Sequence, residues 1–328
     1  MHLRSAARAA VAIAIACAAA GCGSSTRTTG PKGDDGGEHL LAFATDRISG
    51  VPGQYQIALL DLDQGGYRSV AGLNNAAADQ GEPCLSDDGG YLVFSSNRAG
   101  GKGGYDLYIY RRLLADLITP AGLESPANET WPRFAYDSVR LAFVRDSLGV
   151  RRIRLFDGLG DTLLTLPGLA TNGPGDDDEP APDLHGDRIA FQSTRAGGPH
   201  VYVWNRASGV TALPALNGDS LDVDPALTSD GRWLAFASNR SGGAGGYDIY
   251  LYDLTSLAYV RLPRLNGAGD ERHPSISANG QILVYQSRPS SSQNWQILSY
   301  SLADSTVTSP PLLAPGGGND RQPYLRWR

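Results

Sequence analysis

Charged side chains recur at set places in this chain, and their spacing decides what chemistry is open to it. Acidic residues gather just before a series of Xaa-Pro steps: Asp79 and Glu82, Glu129, Asp176 to Glu179, Asp222 and Asp224, Asp270 and Glu271, and Asp320. Arg47, Arg98, Arg195, Arg240 and Arg288 close apolar segments that precede Gly-rich or polar loops, and Arg145 is a shifted sixth. Arg133, Arg272, His273 and Arg321 flank the proline steps themselves. Two readings follow. Carboxylates and arginines this close in the fold satisfy one another and orient loops. Alternatively, the residues nearest a common axis (Glu82, Glu129, Glu179, Asp224, Arg272, His273 and Arg321) converge on a docking site for a protein or peptide.

Other chemistries find little to work with. No G-x-S-x-G elbow supplies a nucleophile. His39, His185, His200 and His273 are scattered, with no H-x-H or H-E-x-x-H pair to seat a transition metal. His273 is the one histidine placed for turnover at such a site, which leaves a carbohydrate- or peptide-acting lyase-like enzyme as the alternative. Asp176, Asp177 and Asp178 offer the oxygens that Ca²⁺ takes but lack the fixed spacing of a calcium loop, so no cofactor is expected. The Gly100–Gly104 and Gly242–Gly246 loops lack the spacing and following helix of a phosphate cradle.

The elements that position these residues are repeats. Six segments share one apolar pattern: LAFATDR (41–47), YLVFSSNR (91–98), RLAFVRD (140–146), RIAFQSTR (188–195), WLAFASNR (233–240) and ILVYQSR (282–288). Their central aromatics, Phe43, Phe94, Phe143, Phe191, Phe236 and Tyr285, lie 45 to 51 residues apart. A second aromatic-rich run and a weaker third follow each, bounded by Gly, Pro, Asp and Asn, which reads as strands and turns. A proline-led strand precedes five of the six: EPCLS, WPRFA, APDLH, DPALT and HPSIS. Asp88-Gly89, His185-Gly186, Asp230-Gly231 and Asn279-Gly280 supply the positive φ of tight hairpins, whereas Tyr136-Asp137 in the third unit has no glycine. The first unit lacks its proline-led strand, and that strand stands at the far end of the chain as QPYLR (322–326). A ring whose last strand completes its first sheet protects the edges an open array would expose. The expectation is an all-β six-bladed propeller of four-stranded antiparallel blades over 40–328. Its proline-side connections and Ser-x-Arg ends fall on one channel-mouth face.

The repeat resembles that of TolB-type propellers. EPCLSDDGGYLVFSSNRAGGKGGYDLYIY (82–110) and DPALTSDGRWLAFASNRSGGAGGYDIYLY (224–252) carry the resemblance most fully, and it extends over 40–328. It implies a propeller whose channel mouth binds proteins, as TolB binds a peptidoglycan-associated lipoprotein and a colicin segment. TolB has an α/β domain before its propeller and is soluble; here a tether precedes the repeats.

The amino terminus reads as an address. Arg4 and Arg8 precede an apolar stretch, Ala9 to Ala20, too short to span a bilayer. Ala19-Ala20-Gly21-Cys22 resembles a bacterial lipoprotein cleavage box, with residues 1–21 removed, Cys22 lipidated and 22–39 a polar, Gly-rich tether. The expectation is an exported protein on the periplasmic side of the cell envelope, held in the outer membrane by its lipid. With the leader removed, 26 basic residues face 34 acidic ones, which argues against nucleic acid as a partner. Gly (41) and Pro (20) are abundant, as turn-rich β structure requires. Cys84 is the one cysteine left for the folded part, so no disulfide framework or cysteine metal site is available. A monomer is expected.

Overall fold

The computed structural model describes residues 38–169, 174–213, 216, 218–291, 293–313 and 318–327. The leader, Cys22 and the tether up to residue 37 lie outside them. The described residues form six four-stranded antiparallel sheets arranged as the blades of a propeller. Blade one holds Asp320–Arg326, Leu40–Thr45, Gln56–Asp61 and Gly66–Tyr67, in that order outward. The carboxy-terminal strand therefore closes the ring, with Leu41 opposite Leu325 and Thr45 opposite Asp320. His39, at the end of the segment read as tether, stacks on Trp327 at 3.8 Å and hydrogen-bonds Asp63.

The core is a ring of six apolar clusters, one at each junction between neighbouring blades. Both faces of each second strand are covered. In Tyr91–Ser96, Leu92 and Phe94 pack toward blade one and Val93 toward blade three. That is why these strands read as continuous apolar runs rather than strict alternation. Phe43, Phe94, Phe143, Phe191, Phe236 and Tyr285 are fully buried, each against the preceding blade. Each contributes about 2–3 kcal/mol of burial.

Short turns join first to second strands. Gly89, Gly186, Gly231 and Gly280 have φ of 71°, 63°, 65° and 74°. In blade three Ser138 occupies the same place at φ 60°, accepting a conformation that glycine takes without strain.

The inner strands carry the feature that builds the site. They are Asp320–Arg326, Gln80–Leu85, Asn128–Phe134, Asp177–Pro182, Asp222–Leu227 and Asp270–Ile276 in blades one to six. Every one shifts register against its neighbour at its Xaa-Pro step. Proline has no N–H for the ladder, and a bulge is where a strand tolerates that. The residue before each proline falls in the left-handed region: Gln322 (φ 53°), Glu82 (56°), Trp131 (51°), Glu179 (50°), Asp224 (54°) and His273 (47°). None is glycine, so each position stores strain of about 1 kcal/mol or more.

Candidate functional site

Two rings of side chains arise from these bulged strands. The outer ring lies two residues before each strained position: Asp320, Gln80, Glu129, Asp177, Asp222 and Glu271, all at most 3 % exposed. Each is gripped by the second strand of its own blade, and Gln80 also donates to Gln56 of blade one. Arg47 makes a bidentate contact with Asp320, its Nη2 2.7 Å from Oδ2. Arg98 donates to Gln80 Oε1 at 2.9 Å, Arg145 to Glu129 Oε1 at 2.8 Å, Arg195 to Asp177 Oδ1 at 2.6 Å and Arg240 to Asp222 Oδ1 at 2.8 Å. In blade six Ser287 donates to Glu271 at 3.1 Å, while Arg288 takes the neighbouring Asp270. Arg98, Arg145, Arg195 and Arg240 also cover the central aromatics of their own blades. The Ser-x-Arg arginines thus act as clasps between first and second strands. The Gly-rich loops are held in a similar way: Asp106 accepts from the N–H groups of Lys102 and Gly103, and Asp248 from those of Ala244 and Gly245.

The inner ring consists of the strained residues themselves, and it faces the channel. Their side chains link blade to blade. Gln322 Oε1 accepts the Glu82 N–H at 3.0 Å, Glu82 Oε2 accepts the Trp131 N–H at 2.6 Å, and Asp224 Oδ2 accepts the His273 N–H at 3.0 Å. Trp131 and His273, from opposite blades three and six, stack across the channel with centroids 5.2 Å apart. Below them Arg133 lies between the faces of Trp131 and Tyr324. Farther down, the Tyr136 hydroxyl donates to the Leu227 carbonyl at 2.8 Å, 91 residues away, in blade five. Blade three therefore bridges the channel at two levels. What remains is a narrow socket of about 40 Å³, within a funnel of about 560 Å³ that includes space open to solvent. That suits a few waters or the tip of one side chain, not a sugar ring.

The electrostatics of the socket are uneven. Asp224 is bidentate to Arg272, with Nη2 2.9 Å from Oδ1. Burial alone would raise Asp224, but His273 and Arg272 more than offset it and hold the carboxyl well below its usual range. Glu179 goes the other way. Burial, then the charges of Asp224 and Asp178, push it well above the carboxylate range. Its Oε2 is buried without a hydrogen-bond partner. Burial lifts Glu82 to about 7 against the Trp131 N–H, Ser95 and Arg133. Burial also drops His273 to about 4; Asp224 opposes this, whereas Arg272, Arg133 and Arg321 reinforce it. The mouth gathers the guanidinium groups of Arg133, Arg272 and Arg321 around Asp224, while burial works against charge on Glu82 and Glu179. This is a cationic spot in a chain of net charge −6.

Of the seven residues singled out in the sequence, Glu82, Glu179, Asp224 and His273 stand in the inner ring, with Arg272 and Arg321 one residue before it. Glu129 stands in the outer ring, clasped by Arg145 and Ser125. Asp176 and Asp178 face Arg151, and Asp177 faces Arg195. Their oxygens are taken by guanidinium groups rather than converging on a common point. Among the described residues, one group brings three metal-type ligand atoms within 4.8 Å of one another: Glu179, Asp224 and His273. Arg272 occupies both Asp224 oxygens, and a guanidinium beside the site opposes a cation, so the donor set does not fit a metal. Trp131, Gln322 and Tyr136 complete the channel, and the sequence reading did not single them out. Aligning the six Xaa-Pro steps finds the first two. Tyr136 carries no such signal. Cys84 is buried beside the channel, where it accepts the Phe134 N–H; burial pushes its thiol up to about 11, leaving it unreactive.

A six-bladed propeller with a narrow, bridged channel is the class of protein that fold and site define. No protein-family model matches the chain, and no curated protein does. Solved structures share the fold. TolB from Acinetobacter baumannii superposes with a TM-score of 0.69 at 20 % identity, over 88 % of this chain, which spans 66 % of that protein's length. A TolB-type protein from Agrobacterium tumefaciens gives 0.55 at 17 % identity, over 89 % of this chain and 98 % of that one. A chain of the nidogen/laminin complex gives 0.60 at 13 % identity, over 89 % and 99 %. The six-bladed propeller architecture expected from the repeats is the architecture of this chain. Among the described residues, no helix is long and apolar enough to cross a membrane.

Proposed function

We propose that this protein is a binding scaffold of the bacterial cell envelope that docks a protein or peptide at its channel mouth. The observation that carries this reading is the inner ring. Six blades share one strained backbone geometry, yet they present five side-chain types there, only Glu occurring twice. Strain repeated at one ring of the channel, where the neighbouring clasps already hold each blade together, is what a binding surface retains. The socket is too small for a folded element or a sugar unit but admits a side chain, which suits a peptide segment. The fold shared with TolB proteins and with a chain of a protein–protein complex agrees with it. In this reading the chain is exported to the periplasmic side of the envelope, lipid-anchored through Cys22 in the outer membrane, and monomeric.

Affinity capture from envelope extract tests it, with wild type, Trp131→Ala and a control at the opposite face, His185→Ala. A partner retained by wild type and the control but lost with Trp131→Ala is the expected result. Equal capture by all three overturns the mouth as the docking face. Turnover of an envelope polysaccharide or peptide that His273→Ala abolishes would move the protein to the enzyme class.

A further inference from the structure

The two arginines that precede the inner ring by one residue occupy equivalent places and have unequal partners. Arg272, in blade six, meets the strained residue of the preceding blade, Asp224, through two hydrogen bonds. Its guanidinium also lies over the Tyr247 ring at 4.4 Å. Arg321 holds the same position in blade one. The strained residue of its preceding blade is His273, which burial keeps neutral. Arg321 has no hydrogen bond or ion pair to a described residue; it rests on the Tyr55 ring at 4.9 Å, and its Nε is buried without a partner. The acids nearby are engaged elsewhere. Asp320 is held by Arg47, Asp46 by Asn319 and Gly53, and Asp79 by the Tyr55 N–H and the Tyr105 hydroxyl. A buried guanidinium N–H without an acceptor is costly, and a carboxylate is the acceptor that the arginine fork matches.

We infer that the mouth recognises a carboxylate of its peptide partner, which sits against Arg321 as Asp224 sits against Arg272. Arg133, deeper in the funnel, bonds carbonyl oxygens and aromatic faces rather than an acid, and adds a second positive charge behind the site. The carboxylate meets Arg321 beside the socket rather than inside it, and the rest of the peptide lies across the mouth. The inference rests on the docking reading and gives the partner a chemical signature: an acidic side chain or a free carboxy terminus.

The test uses the whole protein and end-capped tetraglutamate and tetraglutamine peptides in fluorescence polarisation at low salt, with tetraglutamine bearing a free carboxy terminus as a third arm. Tetragalacturonate is the competitor. A carboxylate-bearing peptide should bind about ten-fold or more tightly than capped tetraglutamine, and either carboxylate source supports the proposal. Arg321→Gln should abolish the preference. So should His273→Asp, which supplies from within the chain the acid that the repeat lacks beside Arg321; thermal melts of both variants confirm folding. Equal binding of acidic and neutral peptides, absence of binding, or a preference that survives both substitutions overturns the proposal. Tetragalacturonate binding more tightly than tetraglutamate also overturns it and assigns the mouth to an acidic polysaccharide. If capture from extract depends on Trp131 while the peptides show no acid preference, this inference fails and the docking reading stands.

Discussion

Two rings of side chains circle one channel, two residues apart along each inner strand, and they follow opposite rules. The outer ring repeats: an acid or amide from the first strand, clasped by the second strand of the same blade. The inner ring repeats only its backbone, and its side chains run Gln, Glu, Trp, Glu, Asp, His. Within one chain, position-by-position repetition marks what builds the blade, and variation on a fixed geometry marks what the blade presents. The outer ring is built for stability, and in the docking reading proposed above the inner ring faces the partner.

The largest effect is expected from closure, on which both rings depend. Removing residues 320–328 leaves Leu40–Thr45 as an open edge and strips Leu325 from its cluster. The truncated chain should lose its cooperative melt and aggregate, as read by circular dichroism and light scattering. Retention of a sharp melt would mean that closure is dispensable. Next comes the outer ring. Asp222→Ala leaves Arg240 uncompensated in a mostly buried clasp and should cost about 3 kcal/mol in urea unfolding. Partner capture by the molecules that remain folded should be unchanged.

The inner ring should respond to pH instead. Glu82 has a native value near 7, above its ordinary 4.5. The stability its proton confers is therefore complete below pH 4.5 and lost as pH rises to 7. His273 has a native value near 4, below its ordinary 6.5, so stability is lost as pH falls from 6.5 to 4. The two trends oppose each other in one window. Relative to wild type, Glu82→Gln should make stability rise with pH there, by about 3 kcal/mol across the window. His273→Gln should make it fall. Denaturant midpoints at several pH values read both, and slopes of the wrong sign would remove the burial argument. The smallest effect on stability is expected from Trp131→Ala, whose stack on His273 is worth about 1 kcal/mol, although binding should be lost.

Much of this architecture was legible in the sequence. The displaced QPYLR strand announced closure, and the pairing of Ser-x-Arg arginines with blade carboxylates was one of two readings open from spacing alone. The bulges were not legible. A proline step is visible in sequence, but the left-handed backbone that precedes it comes from register against the neighbouring strand. Without the bulge, Glu129 reads as a mouth residue because it is acidic and close to a proline; with it, two residues separate the clasp from the rim. Trp131 carries no charge, so the charge pattern that marks the other mouth residues does not reach it. Tyr136 could not be read at all, because its partners Leu227 and Ile276 lie across the ring and nothing local specifies which blades face one another.

Photo-crosslinking in the cell envelope tests the central claim most directly, with a benzophenone side chain placed at Trp131 in one protein and at His185, on the turn face, in another. The account predicts a discrete crosslinked partner from the position at the mouth and none from the turn face. A partner trapped at His185, with the mouth silent, would contradict it.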